Sequence, residues 1–321
     1  MSAEKKRSLV VALCGGIGGA KLALGLSRIV PGGDLMLVGN TGDDFEHLGL
    51  MISPDLDTVM YTLAGLDDPK RGWGRRNETW TFMGALAAIG SETWFALGDG
   101  DLATHVERTR RRAAGEVLSA ITADFCRRLG IAARLVPMTD DRVRTRLRTE
   151  EGWLDFQDYF VRRRCAPPVR EIAYDGAARA RAHPDVLAVL RDPRLRAVVI
   201  CPSNPFLSIE PILAVTGLRE AIARAAAPVV AVSPIIGGRA VKGPTATMMS
   251  ELGCEITAAA VAQRYQDLLD GYVLDRTDAA EAEKLGIPVT VADTLMTTLA
   301  DREALARCVL ASADALAKAT A

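Results

Sequence analysis

The chain has 321 residues, 49% of them hydrophobic and 25% charged, and its 39 Lys and Arg against 40 Asp and Glu leave a net charge of −1. That length carries one large domain or two medium ones, and so even a balance offers no electrostatic footprint for DNA or RNA. No apolar run reaches the ~18 residues of a membrane helix, the charged start Met1–Ser8 lacks the apolar region of a signal peptide, and six scattered cysteines without a CxxC pair suit reduced thiols: the expectation is a cytoplasmic protein with neither nucleic acid nor membrane as partner.

Leu9–Leu13 (LVVAL) is a short β-branched run bounded by glycines and reads as a buried parallel strand. Leu22, Leu24, Leu26 and Ile29 then fall at helical spacing, Pro31-Gly32-Gly33 stops that helix, and Leu35–Val38 is a second strand. A right-handed β-loop-α-β crossover follows. Further buried strands are expected at Trp94–Leu97, Ala197–Cys201 and Val229–Val232, with weaker ones at Tyr272–Asp275 and Val289–Val291. Helical stretches separate them at Ala103–Leu129, Leu218–Ala226, Ala258–Leu269 and Arg302–Lys318. This alternation predicts an α/β fold, a Rossmann-like doubly wound and mostly parallel sheet. Asp141–Arg164 instead alternates charged and apolar residues around Glu150-Glu151-Gly152, as a hairpin with one wet face does. The expected organisation is a nucleotide-binding core of residues 1–100 and 196–321 with an α+β insertion lobe at 101–195. Short basic runs (Arg108 with Arg110–Arg112, and Arg162–Arg164) read as solvated faces.

The loop between the first strand and helix is Gly15-Gly16-Ile17-Gly18-Gly19-Ala20-Lys21. Glycines let backbone approach a ligand, and the helix N-terminus behind them favours an anion. It is not a Walker A loop, because Lys21 is followed by Leu22 rather than a hydroxyl residue. It also departs from a dinucleotide fingerprint, with Lys21 at the third small-residue position and Asn40 where an acid would end the second strand.

Past that strand comes Asn40-Thr41-Gly42-Asp43-Asp44, then Ser53-Pro54-Asp55-Leu56-Asp57-Thr58. Carboxylates beside a phosphate loop suit a hard divalent cation such as Mg²⁺ and metal-assisted phosphoryl chemistry. Asp55 taken alone also reads as a helix N-cap. Pro202-Ser203-Asn204-Pro205, and Ser233 to Gly238 with Lys242, follow later strands. Asn40, Asp55, Ser203, Asn204, Ser233 and Gly237 therefore face one crevice as candidate substrate ligands, with Leu97–His105 as a fifth loop. The aromatic residues Trp73, Trp80, Trp94 and Phe95 read as core, with a pocket wall as the alternative.

Taken in order, GGIGGAK, NTGDD, SPDLDT, RGWG…ET, LGDGDLATH, VPMTDD, FQDYFV, PSNP and SPIIGG…KGP resemble the phospholactate transferase family of coenzyme F-420 synthesis, over nearly the whole chain. The resemblance implies transfer of a phosphorylated three-carbon acid from a guanylyl diphosphate donor to the ribityl hydroxyl of the deazaflavin FO, with release of GMP. It implies Mg²⁺ as cofactor and a homodimer. By resemblance, Asp43 and Asp57 bind metal and orient the FO hydroxyl, Asp44 joins them as a metal ligand, and Gly15, Gly16, Gly18, Gly19, Lys21, Ser203 and Asn204 hold the donor. Gly100 stands where the family frequently has arginine, which leaves phospholactate, phosphoenolpyruvate and 3-phosphoglycerate open as the acid carried. The other reading is a non-catalytic regulator of the same superfamily that binds nucleotide sugars.

Overall fold

The computed structural model describes residues 7–319; most of the charged segment Met1–Ser8 lies outside them. Fourteen strands occur among these residues: β1 (Leu9–Cys14), β2 (Leu35–Gly39), β3 (Phe45–His47), β4 (Leu50–Ile52), β5 (Arg134–Pro137), β6 (Arg144–Thr149), β7 (Gly152–Asp155), β8 (Glu171–Asp175), β9 (Leu195–Ile200), β10 (Val229–Val232), β11 (Ile235–Ile236), β12 (Arg239–Ala240), β13 (Gly271–Asp275) and β14 (Val289–Ala292). Seven of them form one sheet in the order β14-β13-β10-β9-β1-β2-β5, with every neighbouring pair parallel.

Burial on both faces explains the unbroken apolar runs. Along β1, Leu9, Val11 and Leu13 enter one core, while Val10, Ala12 and Cys14 enter the other. The second core is closed by helix α1 (Gly16–Ile29), helix α2 (Pro54–Leu63) and the C-terminal helix Leu299–Ala319 through Leu22, Leu26, Val59, Leu305 and Val309. The first is closed in part by the small antiparallel sheet β7-β6-β8, whose Leu147 and Leu154 pack with Met36 and Val38.

Three expectations are corrected. Trp94–Leu97 is a loop, and the edge of the main sheet beside β2 is taken by β5 instead. Since β5 lies within residues 101–195, that range supplies the edge of the main sheet as well as the small one. The stretch Ala103–Leu129 is two helices, α4 (Asp99–Ala113) and α5 (Leu118–Arg128), after a short α3 (Thr81–Ala88). Gly115 lies between α4 and α5 at φ +91°, a left-handed conformation that glycine adopts without penalty. All six cysteines are free thiols, and among the described residues no helix is long and apolar enough to cross a membrane.

Candidate functional site

The chain leaves β1 toward β2 and β5 on one side, and returns through β9 toward β10, β13 and β14 on the other. The sheet order therefore reverses between β1 and β9, and ligands of open α/β sheets bind outside the strand ends at such a point. Gly15 follows β1 and Ser203 follows β9, and the two are fastened together. The Ser203 hydroxyl accepts from the Gly15 N–H at 3.2 Å and donates to the Gly15 carbonyl at 2.8 Å. The glycines are dictated by crowding. A side chain at Gly15 would strike the Asp55 carboxylate, one at Gly18 the Pro202 carbonyl, and one at Gly19 the Ser203 hydroxyl. Gly18→Ala is accordingly expected to destabilise the protein by about 1–3 kcal/mol, read as a lower urea midpoint.

Behind this loop stand three buried carboxylates. Asp55, in the first turn of α2, accepts the Gly16 N–H at 2.6 Å. It is therefore not the helix N-cap, a position Ser53 occupies. The other N–H groups of the first turn of α1 have no acceptor within the helix. The Asn40 amide nitrogen lies 2.9 Å from Asp55 and 3.1 Å from Asp43, and 2.9 Å from the Leu207 carbonyl, so one side chain ties both acids together. Asp44 accepts from the Ser53 hydroxyl at 2.9 Å, and its second oxygen is buried without a partner.

Burial pushes Asp43 well above the ordinary carboxylate range, and the neighbouring Asp55 and Asp44 push it further. Burial likewise raises Asp55 against its hydrogen bonds from Asn40 and Gly16, and pushes Asp44 up to about 7. A carboxyl whose folded pKa is raised binds its proton in the folded state when the unfolded chain has already lost it, so stability falls as pH rises through that interval. Between the unfolded value of about 4 and about 7 for Asp44, the protein should lose stability. His47, held low by burial, pulls the opposite way but is one group against three. The expected result is a lower urea midpoint at pH 8 than at pH 5, with the difference reduced in Asp44→Asn.

In front of the acids lies a cavity of about 590 Å³. Gly15, Gly16, Gly18 and Lys21 line it, as do Asp43, Asp55, Ser203, Asn204 and Ser233. The Lys21 ammonium donates to the Met296 carbonyl at 2.7 Å. The side facing β3 and the small sheet is aromatic. Trp94 and Phe95 line the cavity and pack on Phe45 and His47, with ring centroids 4.8 Å apart for Phe45–Phe95 and 4.9 Å for His47–Trp94. Phe156 and Phe160, stacked 5.3 Å apart, continue the wall. Trp94, Phe95 and Phe160 are thus wall rather than core, and Phe156 belongs to both. Phe160, Gln157 and Arg164 were not singled out individually by sequence reasoning, although the FQDYFV run signals the first two. Met296 gave no signal, because the group it offers there is its backbone carbonyl, the acceptor of Lys21.

Five candidate positions lie outside the cavity lining. Gly19 and Asn40 sit behind it, in the contacts given above, and Asp44 lies beside Asp43. The Gly237 N–H donates to Asp278 at 3.0 Å. Asp57 faces elsewhere, because two positions along a helix differ by about 200° in direction. It pairs bidentately with Arg108, which is 2% exposed, and Arg108 also reaches the His105 Nδ1 at 3.1 Å. An arginine only donates, so His105 accepts at Nδ1 and turns Nε2 toward Asp101 at 3.2 Å. The Tyr61 hydroxyl donates to the same Asp101 at 2.7 Å. Ligand atoms of Asp57, Asp101 and His105 lie within 4.8 Å of one another, but the guanidinium already provides the positive charge there. The Leu97–His105 segment, expected as a loop, is helical from Asp99 onward as the start of α4 and serves this network through Asp101 and His105 rather than the crevice, and Arg108 is buried rather than part of a solvated face.

Residues 10–295 match the family described as 2-phospho-L-lactate transferase CofD. The chain is 43% identical to the phosphoenolpyruvate transferase of Streptomyces griseus over 314 residues, covering 95% of this chain and 98% of that one. It is 40% identical to the phosphoenolpyruvate transferase of Mycobacterium tuberculosis over 330 residues, covering 95% and 98%. In fold it is similar to a crystal structure of a UPF0052 family protein from Bacillus halodurans, with a TM-score of 0.65 at 13% identity, covering 95% of this chain and 99% of the other. On the extent of the family match and the identity to these relatives, the chain belongs to the CofD family of 2-phospho-L-lactate transferases.

Proposed function

We propose that the protein transfers an enolpyruvyl phosphate group from a guanosine diphosphate ester to the ribityl hydroxyl of FO, releasing GMP, in the synthesis of a deazaflavin coenzyme. The observation that carries this reading is the juxtaposition in one cavity of a glycine loop at a helix N-terminus, two buried carboxylates and an aromatic wall. Enolpyruvate is chosen among the three acids because relatives at 40–43% identity are phosphoenolpyruvate transferases.

The division of labour follows from the residues. The first turn of α1 receives the diphosphate on backbone N–H groups. Trp94, Phe95 and Phe160 receive the flat acceptor. The acceptor hydroxyl oxygen forms a bond to the phosphorus that carries the acid, the bond from that phosphorus to the bridging oxygen breaks, and GMP departs. Asp43 orients the attacking hydroxyl and takes its proton. The crowding of Asp43, Asp44 and Asp55, with the second Asp44 oxygen buried and unpartnered, suits a divalent cation held by Asp43 and Asp44 beside Asp55. Bound there, Mg²⁺ would neutralise charge on the phosphates. The rest is positioning and electrostatics, as phosphoryl transfer generally is.

The test is conversion of FO to its enolpyruvyl phosphodiester, followed by chromatography, alongside a fluorescence titration of FO. Saturable binding and GMP release are expected; no transfer from any of the three acid-bearing donors would sink the reading. Trp94→Ala should raise the KM for FO about tenfold, as loss of a stacking partner does, and leave inhibition by GDP within about twofold.

A further inference from the structure

A second, smaller cavity of about 100 Å³ lies beside the first. The two share Ile17, Lys21, Thr58, Gly72, Trp73 and Lys242. Thr58 stands three positions after Asp55 on α2, so this annex adjoins the carboxylates and the first turn of α1. Its size is far below the ~300 Å³ at which pockets take drug-sized ligands. It has room for a few heavy atoms and none for a second nucleoside.

The annex carries an excess of positive charge. Lys21 and Lys242 line it from the main cavity, and Arg302 lines it from the C-terminal helix. Burial lowers the pKa of Lys21, the charges of Arg302 and Lys242 lower it further, and the more weakly felt Asp301 and Asp67 only partly offset them. Among the described residues none of the three has an acid within ion-pair distance, and the Arg302 Nε is buried without a hydrogen-bond partner. The two acids on the wall are engaged elsewhere. Asp67 faces Arg76 at 3.7 Å, and Asp68 faces Arg71 at 3.9 Å while accepting the Lys70 N–H at 2.9 Å. Arg302 is also held in place, because its carbonyl fills the space that a side chain on Gly25 of α1 would need.

We propose that this annex receives the three-carbon acid of the donor, with Lys21, Lys242 and Arg302 as the clamp for its carboxylate. The assignment rests on the transfer reaction proposed above. A donor whose diphosphate lies on the first turn of α1 has its acid-bearing phosphorus next to Asp55, and the annex opens there. Trp73 and Ile17 then cover the carbon skeleton, while the guanidinium of Arg302 meets the carboxylate with charge-assisted hydrogen bonds. The clamp reads the carboxylate, which all three candidate acids share, and the small volume limits the chain attached to it.

The experiment compares two donors of similar size in the full-length protein: guanosine diphosphate esterified with enolpyruvate, and the same nucleotide esterified with an allyl group that lacks the carboxylate. Wild type should prefer the acid-bearing donor in kcat/KM. In Arg302→Gln and in Lys242→Gln that preference should fall about tenfold, the loss of one charge-assisted hydrogen bond. The affinity for GDP, which has no acid, should stay within about twofold and shows that the variants are folded. A preference that survives in both variants overturns the annex and leaves the transfer reading standing. A fall in GDP affinity as large as the fall in donor kcat/KM also overturns it, because the cations would then hold phosphate. No transfer by wild type from either donor overturns both readings together.

Discussion

Asp43→Asn is expected to lower kcat for transfer to FO by about two to four orders of magnitude, with GDP affinity preserved and stability at pH 8 increased. The three effects have one cause. Asp43 sits buried beside Asp55 and Asp44, and burial together with those two charges raises its pKa well above the usual range. An amide of the same shape removes a buried charge that its neighbours repel, so the unfolding free energy should rise by about 1–2 kcal/mol, read as a higher urea midpoint. The amide keeps a carbonyl oxygen for the Asn40 contact at 3.1 Å, so the loop holds its shape and the nucleotide still binds. What it cannot do is take a proton from the attacking hydroxyl. Loss of activity together with loss of stability would instead make Asp43 a structural residue, and unchanged turnover would remove it from the reaction.

Much of this was legible in the chain. LVVAL, LMLV and AVVIC could be placed as buried parallel strands because both faces of the sheet are covered and nothing polar interrupts them. The glycine loop and Asp43 were legible because they sit directly after strands, where position alone assigns them to the sheet's carboxyl edge. Direction was not legible. Asp55 and Asp57 share one motif, yet only Asp55 turns to the cavity, since the angular step between them depends on where α2 begins. The aromatic wall was ambiguous for a different reason. Trp94 and Phe95 are apolar in either role, and only the position of β3 and the small sheet decides between core and pocket. The annex was invisible, because Lys21, Lys242 and Arg302 are far apart in sequence: the packing of the C-terminal helix on α1 brings Arg302 to Lys21, and the loop after β12 adds Lys242.

Asp57 calls for a stability experiment before a kinetic one. Arg108→Met should cost about 3–5 kcal/mol, because it leaves the buried Asp57 carboxylate without its bidentate partner. Asp57→Leu alone should cost a similar amount by stranding Arg108. The pair ties α2 to α4, with the Arg108–His105–Asp101–Tyr61 chain extending the tie. Replacing both partners, Asp57→Leu with Arg108→Met, should recover most of the loss, since well-packed apolar groups often match a buried ion pair. That double variant also separates the two roles open to Asp57. If its carboxylate only positions α2, and through it Asp55, the double variant should bind GDP and turn over within about tenfold of wild type, far above Asp43→Asn. If the carboxylate touches the reacting groups, the double variant should fold well and still be as inactive as Asp43→Asn. The structure points to the first result, because both carboxylate oxygens of Asp57 are engaged by Arg108 and neither borders the cavity.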